Sequence, residues 1–329
     1  MKKSYYILIV LTLFGCHQSS NDISAKAKEY IGEVIQILRH NSINKSKINW
    51  GKFEKDIYTK AKGAQSIPQT YHAIELAIIL LEDNHSYFKP LTKKLNLENQ
   101  KSLPIFNDTK VPKDIGYIRI PFCIGDEDEN KKYINRILTK IENQNNKTIK
   151  GWIIDLRNNF GGNMWPMLIS LEPILGNGIV GYFKDSNSRY SSWELKEGKV
   201  YLDNEIILES PKFIKLKDSS PIVAVLTNSE TASSGEAISV AFKGRSNTKS
   251  FGGNTYGVST GCKSYSFSDG SIVNLATSLF SDRNKIDYGF QIKPDFECNE
   301  NEIIETSSNW IYEQYKITTA NKVQNVNSR

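Results

Sequence analysis

The sequence predicts an α/β fold preceded by a small helical unit, and three observations carry that expectation. TIKGWIIDLR (148–157) and PIVAVLTNS (221–229) contain unbroken apolar runs, the pattern of strands buried on both faces. Stretches of helical period alternate with these runs, which points to an α/β core. Residues 24–96, by contrast, read as helical, with repeating apolar positions in AKAKEYIGEVIQILRH, FEKDIYTKAKG and QTYHAIELAIILLEDN.

The elements follow in order. Pro68 and Gln69 sit near the start of the third helical stretch, and Asp83-Asn84 ends it, leaving His85 in a loop just off a helix. Residues 97–112 read as polar linker. IGYIRIPF (115–122) is a strand candidate, a helix opens at Asp126–Lys131 and reaches about Asn143, and the buried run 148–157 follows. NMWPMLISLEPIL (163–175) is helical, with Pro166 tolerated in a first turn. GIVGYFKD and SSWELKEGKVYL (178–202) suggest an antiparallel pair, and 221–229 a buried strand leading into the helix EAISVAFKGR (236–245). KSFGG and SYSFSDGSIVNLATSLFSDR supply short strands, and the tail from about Ile304 is helical and mostly polar.

At the N-terminus, MKKSYYILIVLTLFGC places two lysines ahead of an apolar run too short to span a membrane as a helix. This is the pattern of a secretory signal. Its end, Leu13-Phe14-Gly15-Cys16, resembles a bacterial lipobox, which implies cleavage before Cys16 and lipid attachment to its sulfur. The expected organisation is a signal peptide over 1–15, a tether over 16–24, a helical domain over 25–96, an α/β core over 97–303 and a helical tail over 304–329. A lipid-anchored protein of the bacterial cell envelope is expected, with the folded part outside the cytoplasm. His17, after the cysteine, favours the outer membrane where there are two membranes.

The chain of 329 residues has a net charge of +6, of which Lys2 and Lys3 would leave with the signal. The lysines are scattered among Asn and Ser and form no stripe, which argues against nucleic acid as a partner. Four cysteines leave three after lipidation, and Cys262 with Cys298 is the pair to try first as a disulfide, against separate thiols. Four histidines with no H-E-x-x-H and no C-x-x-C offer no zinc set, and no cofactor is expected.

Two segments carry chemistry. Thr231-Ala232-Ser233-Ser234-Gly235-Glu236 lies between a buried strand and a helix, where a hydroxyl is exposed beside free backbone N–H groups. That suits a nucleophile next to an oxyanion; equally, Ser233 and Ser234 could cap the helix with Glu236 three residues on. Asp155-Leu156-Arg157-Asn158-Asn159-Phe160-Gly161-Gly162-Asn163 runs from a buried strand into paired glycines, whose N–H groups could face a carbonyl oxygen. Paired glycines also mark plain turns. Of the four histidines, His85 is the one in a loop flanked by breakers and polar groups.

These two segments resemble the D-L-R-x-N-x-G-G and T-A-S-S-G-E segments of the tail-specific or carboxy-terminal-processing peptidases, the S41 family that includes the tricorn core. Gly116-Tyr117-Ile118-Arg119-Ile120, Asn163–Met167, Gly244–Thr248, Gly257-Val258-Ser259-Thr260-Gly261 and Ile292-Lys293-Pro294-Asp295 extend the resemblance over roughly 70–300. It implies a core like that of ClpP and crotonase. Between the helical domain and Gly116 there is too little sequence for the PDZ insertion common in processing peptidases. It further implies a serine peptidase acting on peptides or unfolded proteins, with Ser233 as nucleophile and the Ser234 amide with one from Gly161 or Gly162 as oxyanion hole. The processing branch has a lysine 25 residues after the serine; here that position is Val258, so the Ser-Lys dyad is absent. The tricorn-like branch uses a histidine from an earlier domain, matched by His85 as general base. An acid orienting that histidine lies near the final Pro-Asp, with Asp287 favoured over Asp282 and Glu297, and the Gln291 amide as a further candidate because an amide can also hold an imidazole tautomer. Glu236 is expected to fix the serine turn, and Asp155 and Arg157 to pair beneath the oxyanion turn. Trp165, Tyr87 and Phe88 are candidates for the cleft wall. Two other functions compete: hydrolysis of esters on the same machinery, and peptide binding without catalysis.

Overall fold

The computed structural model describes residues 21–91 and 111–327. The signal segment, Cys16, most of the tether and most of the 97–112 linker lie outside these described residues.

Three helices come first: α1 (Ala25–Asn41), α2 (Trp50–Lys60) and, after a 3-10 turn at Ile67–Thr70, α3 (Tyr71–Ile79). Ser24 and Asn49 cap the first two by accepting from Ala27 and Lys52 amides, each cap contributing about 1 kcal/mol. Apolar residues one turn apart, Ile31, Val34, Ile35 and Leu38 with Phe53, Ile57, Ile74 and Ala77, form one cluster. Phe267, Val273 and Leu275 belong to that cluster too, so the helical unit is seated on the strands that follow.

Five parallel strands form the central sheet in the order β12 (Phe296–Glu297), β9 (Thr248–Gly252), β8 (Val223–Thr227), β3 (Trp152–Asp155) and β2 (Gly116–Arg119). Successive residues alternate between its faces. Ile118, Ile154 and Val225 point into the core with α4 (Glu127–Gln144), α5 (Met164–Ser170) and α7 (Ser234–Phe242). Ile153, Ala224 and Leu226 point to the other face, which α8 (Ile303–Asn327) covers with Ile303, Ile304 and Ile311. The tail anticipated as mostly polar therefore buries an apolar stripe. The helical run 163–175 divides at Leu171 into α5 and α6 (Glu172–Leu175), where Pro173 restarts the turn.

The second sheet is antiparallel and larger than the expected pair. β1 (Tyr87–Lys89) pairs with β11 (Ile272–Asp282), then β4 (Gly178–Asp185), β5 (Tyr190–Lys196), β6 (Lys199–Leu202) and β7 (Glu205–Glu209), with β10 (Thr260–Ser266) also on β11. At 11 residues β11 is no short strand, because it serves β1, β10 and β4 at once. Trp193 is fully buried where β5 crosses the core, against Phe183 and Phe280. Cys123, Cys262 and Cys298 are all free thiols, so the Cys262–Cys298 disulfide does not form.

Candidate active site

Ser233 stands between β8 and α7 with φ +52°, a left-handed conformation in a residue with a Cβ. A carboxylate holds it there. Glu236 Oε2 accepts from the Ser233 and Val258 amides at 2.9 Å each, and Oε1 from Thr255 Oγ1 at 2.5 Å and the Gly257 amide at 3.0 Å. Glu236 is fully buried, and burial raises its pKa against the pull of these four donors.

The glycine turn after β3 packs directly on this serine. A Cβ at Gly161 would stand 2.8 Å from Ser233 Cβ and 3.1 Å from the Ser234 amide nitrogen, and both Gly161 and Gly162 have positive φ. Only glycine fits so close an approach. The Gly161 N–H donates to Asn159 Oδ1 at 3.0 Å. The N–H groups of Gly162 and Ser234 donate to no group among the described residues. Ser234 Oγ donates to Gly162 O and keeps these two amides together. Beneath the turn, Asp155 receives two side-chain bonds from Arg157 at 3.0 and 2.7 Å and one from Tyr117 Oη at 2.7 Å. Arg119 adds a bond to the Arg157 carbonyl. Asn159, the asparagine of the D-L-R-x-N-x-G-G match, ties this turn to the end of β2 by donating to Ile120 O.

His85 follows α3 in a loop where Glu82 and Asn84 both have positive φ. Asp83 fixes that loop: Oδ1 accepts from the His85 and Ser86 amides at 2.9 and 2.7 Å, and Oδ2 from Ser86 Oγ at 2.6 Å. Ser86 Oγ in turn accepts from Ala276 N on β11. The His85 Nδ1 meets Thr260 Oγ1 at 2.6 Å and Cys262 Sγ at 3.3 Å, both on β10. Burial lowers the imidazole pKa, with the Asp83 charge opposing. Burial, helped by Asp83, pushes the Cys262 thiol up to about 12.

Asp287 is not brought to His85. Its carboxylate binds Lys184 Nζ at 2.5 Å and Ser281 Oγ at 2.7 Å, and although burial raises its pKa, these donors hold it low overall. Asp282 accepts from the Asn284 and Ile286 amides and Tyr288 Oη. Glu297 and Gln291 are exposed, and His85 Nδ1 has the Thr260 hydroxyl where an acid was expected. No hydrogen bond joins Ser233 to His85. The link between them is the segment from Thr255 to Thr260, which leaves the Glu236 carboxylate at Val258 and reaches the imidazole two residues later. Thr260 and Cys262 were missed as partners of His85 because nothing in the local pattern marks a contact 175 residues away.

Beyond Cys262 opens a cavity of about 730 Å3, walled by His40 and Lys45 of the helical unit, Trp165, Tyr190 and Tyr265. Tyr87 is exposed elsewhere, and Phe88 packs on Tyr71 in the helical cluster. Among the described residues no cluster of three His, Cys, Asp or Glu could hold a metal, and no helix is long and apolar enough to cross a membrane.

The family model for peptidase family S41 matches residues 114–298, which leaves His85 outside the matched segment. The nisin-resistance protein of Lactococcus lactis subsp. lactis is 23% identical over 323 residues, 93% of this chain and 94% of its own. A lipoprotein from Streptococcus agalactiae shares the fold with a TM-score of 0.71 at 24% identity, over 89% of this chain and 98% of that one. The photosystem II D1 C-terminal processing protease gives 0.61 at 14% identity, over 87% and 97%.

Proposed function

The chain belongs to peptidase family S41, and from that premise we propose that it is a serine peptidase with Ser233 as nucleophile and His85 as general base. The observation that carries this reading is the strained Ser233 turn beside two unused amides, those of Ser234 and Gly162. His85 Nε2 takes the Ser233 proton as Oγ attacks the peptide carbonyl carbon, and the oxyanion forms between the two amides. The imidazolium returns the proton to the leaving amine. Water, deprotonated by the same base, then attacks the acyl ester and releases the acid. Of the two glycines, Gly162 is assigned to the oxyanion hole because the Gly161 amide already has a partner.

Ser233 and His85 make no hydrogen bond to each other, as in unliganded sites whose catalytic bonds tighten on substrate. The unmade bond also favours a second reading, a peptide-binding protein of the same fold without catalysis. The name of the Lactococcus relative makes nisin the peptide to try first. The cavity between the helical unit and the strands is the place for it, since binding sites favour such junctions. Lipid anchoring through Cys16 in the cell envelope, at the outer membrane where there are two, completes the proposal.

Intact mass after treatment of a soluble form starting after Cys16 with a fluorophosphonate tests this. One adduct is expected, absent in Ser233→Ala and formed at least a hundredfold more slowly in His85→Ala, the range of general-base loss. A folded protein that takes up no reagent and leaves peptides uncut would establish the binding reading instead.

A further inference from the structure

Resting on the assignment of His85 as the base, we propose that the Thr260 hydroxyl is the positioning residue that holds this imidazole in its working tautomer, in the place where an acid is expected. For Nε2 to accept the serine proton, Nδ1 must carry the ring's hydrogen and needs an acceptor. Thr260 Oγ1 is 2.6 Å from Nδ1. The other groups around the ring are unsuited or engaged. Cys262 Sγ, at 3.3 Å, is a weak acceptor. Asp83 directs both carboxylate oxygens at its own loop, and Asp287 is held by Lys184 and Ser281.

The hydroxyl is well placed to be specific. Thr260 is buried at the first position of β10, opposite Leu279 of β11, so its backbone is set by the ladder and its branched side chain has few rotamers. Its own N–H donates to Val258 O, and the Val258 amide donates to Glu236, the same carboxylate that holds Ser233. The orienting group of the base and the turn of the nucleophile thus share one anchor. Unlike a carboxylate, a hydroxyl orients the ring without a negative charge to stabilise the imidazolium. The titratable groups facing the ring are Asp83 from its own loop and Cys262 from β10, and the thiol stays neutral.

Thr260→Val keeps the shape of the side chain and removes the acceptor; Thr260→Ser restores it. Long-range 1H–15N correlation of the imidazole at mildly alkaline pH reads the tautomer with or without catalysis. The wild type and Thr260→Ser should show His85 protonated at Nδ1, and Thr260→Val should lose that preference. Fluorophosphonate labelling should slow about tenfold in Thr260→Val, the scale of one lost hydrogen bond, and stay close to wild type in Thr260→Ser. A wild-type ring protonated at Nε2, or a Thr260→Val protein with unchanged tautomer and labelling, overturns the proposal. Should Thr260→Val not fold, the wild-type and Thr260→Ser tautomers decide alone. Failure of the wild type to label would instead overturn the Ser233–His85 reading, with the tautomer still judging Thr260.

Discussion

Glu236 is the residue on which the nucleophile's geometry rests, because its two oxygens satisfy three backbone N–H groups and one hydroxyl in a fully buried place. Removing it strands these four donors, two of them in fully buried bonds, at roughly 1–3 kcal/mol for each left buried. Glu236→Ala should therefore lower stability by about 3 kcal/mol or more in urea unfolding and abolish labelling of Ser233. Glu236→Gln, with one acceptor oxygen in place of two, should fall between. A Glu236→Ala protein as stable as wild type would show that the turn stands without its carboxylate. The pH dependence belongs to His85. Burial disfavours its charged form, so the base is neutral where an ordinary imidazole of pKa 6.5 is half protonated, and labelling should reach half its maximum below pH 6.5. For stability the unfolded chain is the one that binds more protons as pH falls, so this group's contribution is complete above 6.5 and is lost as pH drops through the folded value. His85→Gln should flatten that slope when urea midpoints are compared across the window.

At the scale of elements, the N-terminus of α7 fits closely against the turn after β3. A Cβ on Gly235 would lie 2.3 Å from the Asn159 carbonyl oxygen, a backbone atom with no freedom to swing aside. That carbonyl already accepts from the Ala232 amide. Gly235→Ala should push the glycine turn off the helix, costing about 2 kcal/mol or more of stability as overpacking does, and should reduce labelling more than Ser239→Ala on the same helix. Unchanged labelling in Gly235→Ala would mean that the two amides need not be held together. Such pairings also mark where sequence reading reached its limit. The buried strands and the serine turn were legible because apolar runs and strand-to-helix chemistry are local. The loop of His85 was legible for the same reason, since Asp83 and Asn84 mark it, although α3 ends earlier than they do, at Ile79. Its partner was not: Asp287 was attractive by its nearness to the final Pro-Asp, yet Lys184, on the neighbouring strand β4, captures it. The extra strands of the antiparallel sheet were equally hidden, since β7 (EIILE) is exposed and apolar without alternation.

Over the whole molecule, the proposed base and nucleophile belong to different layers. His85 hangs between the helical unit and β1, which pairs with β11 of the antiparallel sheet, whereas Ser233 caps α7 in the loop that follows β8 of the parallel one. The helices and β11 share one apolar cluster, so the imidazole's loop is packed into a single layer. Closure of the site must then act through the joint, the run from Thr255 to Thr260 that Glu236 grips at Gly257 and Val258. A phosphonate on Ser233 places an oxyanion-like group between the amides of Ser234 and Gly162 and offers His85 an acceptor. Hydrogen exchange of the adduct should accordingly slow at 82–86, 159–163 and 254–260, with the outer strands β6 and β7 unchanged, and Ser233→Ala treated alike should show no difference. Protection confined to the serine turn, with the His85 loop exchanging as before, would mean that the two layers do not close. Ser233 and His85 would then stay unbonded in the resting and reacted states alike, and labelling of Ser233 would have to proceed without His85 as its base.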